Sequence, residues 1–175
     1  MANNLKLTTY LKEVIIKMLV NLDDYITDSK YFKWKEALFL PTLKIHHCAN
    51  TQEIQNIKET CLKLDKFRKH LNKPFIISCW IRPTHVIDEQ GVHTGVNYNA
   101  LPNIKGAKSS AHITGLAIDF DVVGLNQDEA MKLIKPKLAE YQMAAENNTI
   151  ANGRTWVHLQ NRQMKSGQPW RIFDL

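Results

Sequence analysis

The spacing of apolar residues predicts two helices in the first half of the chain. Apolar side chains recur every three or four positions in the first of them, as in an amphipathic helix: Leu11, Val14, Ile15, Met18, Leu19 and Leu22. A second stripe follows Asn50 and Glu53, which form an Asn-led capping box, and continues to Leu71. Residues 31–40 mix aromatic side chains with lysines and are predicted to pack over the core.

From residue 75 onward, the pattern of apolar positions becomes that of β-strands. Residues 75–81 form a short apolar, β-rich run that predicts a buried strand. In residues 116–122, aliphatic side chains alternate with Asp119 and its neighbours, so the two kinds of side chain lie on opposite faces. Residues 155–160 alternate in the same way around His158. Both strands can therefore bury an aliphatic face and offer a metal-ligating side chain on the other.

The remaining segments give a loop, a helix and an edge strand. Residues 82–109 carry scattered glycine, proline and polar residues, which is typical of a long functional or mobile loop. Asn126 and Glu129 form a second capping box, which predicts a helix with Ala130, Leu133 and Ile134 facing inward. Pro136 should bend or end that helix early. Residues 170–173 are predicted to form a final edge strand.

Composition indicates one globular domain. The chain has 175 residues, of which 44% are hydrophobic and 23% charged. No apolar run approaches the roughly 18 residues of a membrane span, and the first residues lack the apolar region of a signal peptide. We therefore expect synthesis in a cytoplasm without a signal peptide. Three widely spaced cysteines argue against a disulfide framework and a thiolate zinc site, and Cys61 and Cys79 are expected to be buried small hydrophobes.

A net charge of +6 favours polyanionic surroundings such as nucleic acid, anionic lipid or bacterial wall polymers. No nucleic-acid-binding motif accompanies the charge, and the basic residues do not form one stripe. The hypothesis of nucleic-acid binding therefore rests on composition alone, and such a partner is not expected. The oligomeric state stays open.

The candidate chemistry is that of a metal site. His112 and Asp119 stand seven positions apart, the second inside a predicted strand, and His158 lies in another. Two imidazole nitrogens and one carboxylate oxygen are a ligand set of catalytic zinc, which keeps its fourth position for water. Mn, Co or Ni ions could occupy the same donors in vitro.

These residues belong to a recognisable pattern. Ser110, His112, Gly115, Ala117 and Asp119 match the signature Ser-x-His-x-x-Gly-x-Ala-x-Asp, and residues 156–158 supply the later aromatic-x-His element. The sequence thereby resembles zinc peptidases related to D-alanyl-D-alanine carboxypeptidases, a group that includes phage L-alanyl-D-glutamate endolysins and shares the Hedgehog fold. The resemblance covers residues 50–160, with residues 1–45 as a helical N-terminal extension of a single domain 1–175.

The resemblance implies a fold and a set of roles. The fold is α+β, a small antiparallel sheet with helices packed on one side. The metal ligands would be His112, Asp119 and His158, with one zinc ion. Arg82 would hold a substrate carbonyl or carboxylate, Ser110 would brace the loop of the first ligand or touch substrate, and Trp156 would wall the cleft.

The same resemblance shows that one acidic residue expected in the site is absent. Family members carry a carboxylate three residues before the last histidine, and Thr155 stands there. Glu146 is the first choice for the base that would take a proton from water. The alternatives are Asp121, which could instead orient a ligand, and the loop histidines His85 and His93.

The leading hypothesis is a zinc peptidase that hydrolyses peptidoglycan stem peptides, encoded by a bacteriophage and acting at the cell wall after release. The bond could be D-Ala-D-Ala, L-Ala-D-Glu or a cross-bridge. A second hypothesis keeps the fold and metal but assigns a structural or binding module, for example in a virion. Thr155 favours this second hypothesis.

Overall fold

A computed structural model describes residues 20–147, Gly153, 155–162 and 172–173. Its helices are α1 (Trp34–Leu38), α2 (Thr51–Leu71), α3 (Gln127–Ile134) and α4 (Leu138–Tyr141), with 3-10 turns at Tyr98–Ala100, Ala111–Thr114 and Lys135–Lys137. Most of the helix predicted for residues 11–22 lies outside the described residues. Within the described part of the chain, every helix is too short or too polar to cross a membrane.

The strands form two sheets. A two-stranded sheet joins β1 (Phe39–Leu40) and β2 (Ile45–His46). The larger sheet has the order β3-β4-β6-β5-β7 and consists of β3 (Phe75–Cys79), β4 (Ala117–Val122), β5 (Ala144–Glu146), β6 (Val157–Gln160) and β7 (Ile172–Phe173). The described pairings are antiparallel, apart from the parallel pair β5–β7. This mixture of helices and mainly antiparallel strands is an α+β architecture, as predicted.

One face of the larger sheet belongs to the hydrophobic core. Ile118 and Phe120 of β4 and Leu159 of β6 are fully buried and share one cluster with the inward side chains of α2, among them Ile57 and Leu64. Because side chains alternate along a strand, the neighbours of these residues point away from the core. The opposite face of the sheet is therefore free to carry polar side chains.

Both predicted capping boxes are present. The Asn50 side chain accepts a hydrogen bond from the backbone N–H of Glu53 at 3.0 Å, and the Glu53 carboxylate accepts one from the backbone N–H of Asn50 at 2.8 Å. Asn126 and Glu129 make the same reciprocal pair at the start of α3. As expected from Pro136, α3 ends at Ile134.

Two burial predictions are wrong in part. Residues 75–81 were expected to form a buried strand, but β3 is an edge strand in which Ile76 is 58% exposed. Leu133 was expected to face inward from α3 and is 45% exposed. The inward positions of α3 are Ala130, Met131 and Ile134. The apolar character of these residues did not show which faces of β3 and α3 are covered by other parts of the protein.

Helix α2 fixes the turn that leads into β4. Gly115 has φ +76°, and a Cβ atom there would lie 2.7 Å from Ile57 Cγ1. The Gly115 carbonyl accepts hydrogen bonds from Thr60 Oγ1 and Trp80 Nε1, both at 3.2 Å. Asn56 Nδ2 also donates to Thr114 O at 2.8 Å. The turn therefore needs a residue without a side chain at position 115.

Replacing Gly115 by alanine should destabilise the protein more than the same change at Gly124. Both glycines have φ +76°, but the nearest atom to a Cβ at Gly124 is Lys73 Nζ at 3.5 Å. Gly124→Ala should cost roughly 1–2 kcal/mol from the left-handed backbone alone. Gly115→Ala adds overpacking against Ile57 of roughly 1–3 kcal/mol. Urea unfolding of both variants measures the difference, and equal losses would contradict the close packing at Gly115.

Candidate metal centre

Four strands of the larger sheet contribute one side chain each to a single row. Cys79 of β3 is the cross-strand partner of Asp119 on β4, and Asp119 is the partner of His158 on β6. The β5–β6 register, continued by one position, places Glu146 beside His158. Directly opposite residues point to the same face of a sheet. We call Cys79, Asp119, His158 and Glu146 the cross-strand row; it lies on the face opposite the core.

His112 reaches this row from the 3-10 turn that precedes β4. Ser110 caps the turn, because its Oγ accepts a hydrogen bond from the backbone N–H of His112 at 3.3 Å. The imidazole is only 1% exposed, and its Nδ1–H donates to Trp80 O at 2.8 Å. That hydrogen bond orients the ring and turns Nε2 toward the row.

The donor atoms of the three predicted metal ligands, His112, Asp119 and His158, lie close together. His158 Nδ1 is 2.7 Å from Asp119 Oδ1 and 3.2 Å from His112 Nε2. His112 Nε2 is 3.3 Å from the same oxygen of Asp119. Donor atoms on a tetrahedral metal with bonds of ~2.0–2.1 Å lie roughly 3.3 Å apart. The three atoms are therefore spaced much as they would be around one ion.

Arg82 contacts the other side of Asp119. Its Nη2 donates to Asp119 Oδ2, and its Nε–H donates to Cys79 Sγ at 3.2 Å. Two of its donors are thus directed at the row, while the side chain also lines the adjoining cleft. Arg82 braces a predicted metal ligand, a contact that its predicted role in substrate binding did not include.

Sequence reasoning missed Cys79. The Cys79 thiol, His112 and Asp119 offer ligand atoms that all lie within 4.8 Å of one another, so this group could hold a metal ion. Cys61 and Cys79 were both expected to be buried small hydrophobes; Cys61 is 0% exposed, whereas Cys79 is only partly buried. Its position depends on strand pairing and on a register shift between Ile77 and Cys79. Cysteine spacing along the chain contains no signal of either.

The charges at the centre shift two pKa values in opposite directions. Burial alone would raise the pKa of Asp119, but the imidazoles of His112 and His158 hold it far below its usual range. Burial alone would lower the pKa of His112, but the Asp119 carboxylate raises it to about 9. Without a metal, the protonated His112 ring thus neutralises the buried carboxylate. A bound cation could replace that proton.

The seven residues given a first-choice role by the sequence line one cleft of about 370 Å³. They are Arg82, Ser110, His112, Asp119, Glu146, Trp156 and His158.

The alternative bases lie elsewhere: Asp121 is exposed beside Ile76, His85 lines a different cavity, and His93 is exposed in the loop. Among the carboxylates considered as bases, Glu146 is the one at the cleft, and it is 4% exposed.

Comparison with known protein families, with curated proteins and with solved structures finds no match.

The stability of the metal-free protein should fall as the pH rises from 6.5 to about 9. The folded His112 retains its proton up to about pH 9, whereas the unfolded residue loses it near 6.5. The ion pair with Asp119 therefore contributes fully below pH 6.5 and is lost above pH 9. The full change corresponds to about 3 kcal/mol.

Urea unfolding of EDTA-treated protein across this pH interval measures the effect. His112→Gln should flatten the profile, and His85→Gln, an exposed histidine outside the cleft, should leave the decline intact. A free energy of unfolding that stays level or rises with pH in the EDTA-treated protein would show that His112 is not charged there.

Proposed function

We propose that this protein is a zinc-dependent peptidase that hydrolyses peptide bonds in bacterial peptidoglycan stem peptides. The observation that carries the proposal is the meeting of His112, Asp119 and His158 in one cleft with Glu146. Its expected fold is that of the D-alanyl-D-alanine carboxypeptidases and Hedgehog domains. The α+β sheet with a polar face opposite the core is compatible with that fold.

Zinc is the ion that the donor set favours. Imidazole nitrogen and carboxylate oxygen suit zinc among the first-row divalent ions, and a nearby thiol strengthens the preference. When bound, zinc supplies an electrophile for the scissile carbonyl and lowers the pKa of bound water. The protein's part is to fix the donor atoms, which the Trp80 O–His112 hydrogen bond and the Arg82–Asp119 ion pair achieve.

Glu146 is the residue that moves the proton. Its carboxylate lies in the same cleft, next to His158 across the strand pair, and replaces the acid that Thr155 cannot supply. A carboxylate in this position can accept a proton from the attacking water and pass it to the leaving amine. Its low exposure keeps bulk water from competing for that proton.

The walls of the cleft suit an acidic peptide. Arg82, Lys105 and Arg162 are positive residues along it, and Ser110 and Trp156 add a hydroxyl and an aromatic surface. Stem peptides carry free carboxylates, which such guanidinium and ammonium groups attract. Together with the motif, these charges support an acidic peptide of the cell wall as the substrate. The proposal that the enzyme is phage-encoded rests on the resemblance to phage endolysins.

A second candidate function is a zinc-binding structural or binding module, for instance in a virion. One observation favours it: the exposed Thr155 stands at the family's acid position, where it cannot act as a base. The metal centre is the same in both proposals. They differ in whether Glu146 performs proton transfer.

Zinc-loaded protein should cleave purified sacculi, and His112→Ala should not. Removal of His112 deletes a metal ligand and leaves Asp119 without its buried partner. Turbidity loss together with new amino termini in the digest measures cleavage and identifies the bond. A folded, zinc-containing wild-type protein that releases no amino termini would favour the binding module.

Glu146→Gln should lower kcat by roughly 10²–10⁴-fold while the bound zinc is retained, because the amide cannot accept the proton. Glu140→Gln is the matched control, since Glu140 pairs with Lys137 on the surface outside the cleft. Digest kinetics and metal analysis on the same samples separate the two effects. Unchanged turnover in Glu146→Gln would exclude Glu146 as the base.

A further inference from the structure

Cys79 is the cross-strand partner of Asp119 only because the register between β3 and β4 shifts by one residue after Ile77. Ile77 pairs with Phe120, yet Cys79 pairs with Asp119, so Ser78 and Cys79 together face one residue of β4. Such a bulge adds one residue to a strand and re-aims its side chains. Here Ser78 Oγ donates to Asp119 O at 3.0 Å, which anchors the bulge to β4. The thiol is thereby turned toward the polar face of the sheet.

We propose that the Cys79 thiolate is a fourth protein ligand of the metal ion, beside the two histidines and Asp119. Its sulfur already lies within 4.8 Å of ligand atoms of His112 and Asp119. On binding, the thiol releases its proton to solvent and the sulfur lone pair forms the metal–sulfur bond, with no change in oxidation state. This inference rests on the metal centre of the proposed function but not on its peptidase activity.

The surroundings of the sulfur suit a bound thiolate. Arg82 Nε–H donates to Cys79 Sγ at 3.2 Å, so the sulfur already accepts a hydrogen bond from a permanent cation. The sulfur also lies 3.9 Å from Ile81 O, a weak contact for the thiol proton. A guanidinium next to the sulfur offsets the charge that a thiolate adds beside the Asp119 carboxylate.

A sulfur ligand changes what the centre selects. Thiolate is a soft donor that favours zinc, and cobalt as its spectroscopic substitute, over magnesium, calcium or manganese. It also completes four protein donors, the number found in structural zinc sites. Cys79 would therefore set both the identity of the ion and the ease with which water enters its coordination sphere.

Cobalt(II) titration of the reduced, metal-free protein tests the ligand directly. Wild-type protein and Cys48→Ser, which changes a cysteine outside the group of potential metal ligands, should both develop a near-ultraviolet thiolate-to-cobalt charge-transfer band. Cys79→Ser should still bind one cobalt ion, with affinity lower by roughly tenfold or more, but without that band. This pattern would establish Cys79 as a ligand.

Three results would overturn the inference. Visible cobalt bands without the charge-transfer band in wild type would mean a metal centre that excludes Cys79. Persistence of the band in Cys79→Ser would assign it to another thiol. Absence of cobalt binding would remove the metal centre itself, and with it the proposed function. A wild-type protein that shows the band yet cleaves no sacculi would instead leave Cys79 as a ligand and refute only the peptidase.

X-ray absorption of zinc-loaded wild-type protein covers the case in which Cys79→Ser does not fold. The expected spectrum contains one sulfur at ~2.3 Å together with nitrogen and oxygen at ~2.0–2.1 Å. A first shell of nitrogen and oxygen alone would overturn the inference without any variant.

Discussion

The buried carboxylate of Asp119 is the constraint around which the polar face of this protein is built. It is only 4% exposed, and a carboxylate removed from water is tolerated only where cations and hydrogen-bond donors surround it. Arg82 meets one of its oxygens, and His112 and His158 meet the other. These partners come from three different segments of the chain. The compensation of one charge thus holds together the loop, the turn and the strands that form the cleft.

Helix α2, on the core side of the sheet, stabilises the turn that carries His112. Helix α2 reaches the opposite end of the His112 turn through Ile57, Asn56 and Thr60, which fix Gly115 and the carbonyl before it. His112 therefore has little freedom to move relative to β4, because both ends of its short turn are tied. A site with donor atoms about 3 Å apart needs such support, since small displacements weaken both ion pairing and metal binding.

The sequence predicted the local parts of this structure and missed the ones that depend on pairing. Strand alternation correctly separated the aliphatic face from Asp119 and His158, since side-chain direction follows directly from strand geometry. Both capping boxes were equally local and equally predictable. Cys79 was missed because its position depends on a bulge at an edge strand. Glu146 was the first choice for the base, but its place beside His158 depends on β5 pairing with β6, and β5 was not predicted. Neither the bulge nor the β5–β6 pairing can be predicted from the spacing of residues along the chain.

The order of the cross-strand row bears on how a fourth ligand and a catalytic base could coexist. Cys79 stands at one end of the row and Glu146 at the other, with Asp119 and His158 between them. A thiolate bound from the Cys79 end would leave the Glu146 end facing the cleft. Zinc can expand from four to five ligands during catalysis. A sulfur ligand is therefore compatible with hydrolysis only if water enters from the Glu146 side, and a rigid four-ligand centre would serve binding alone.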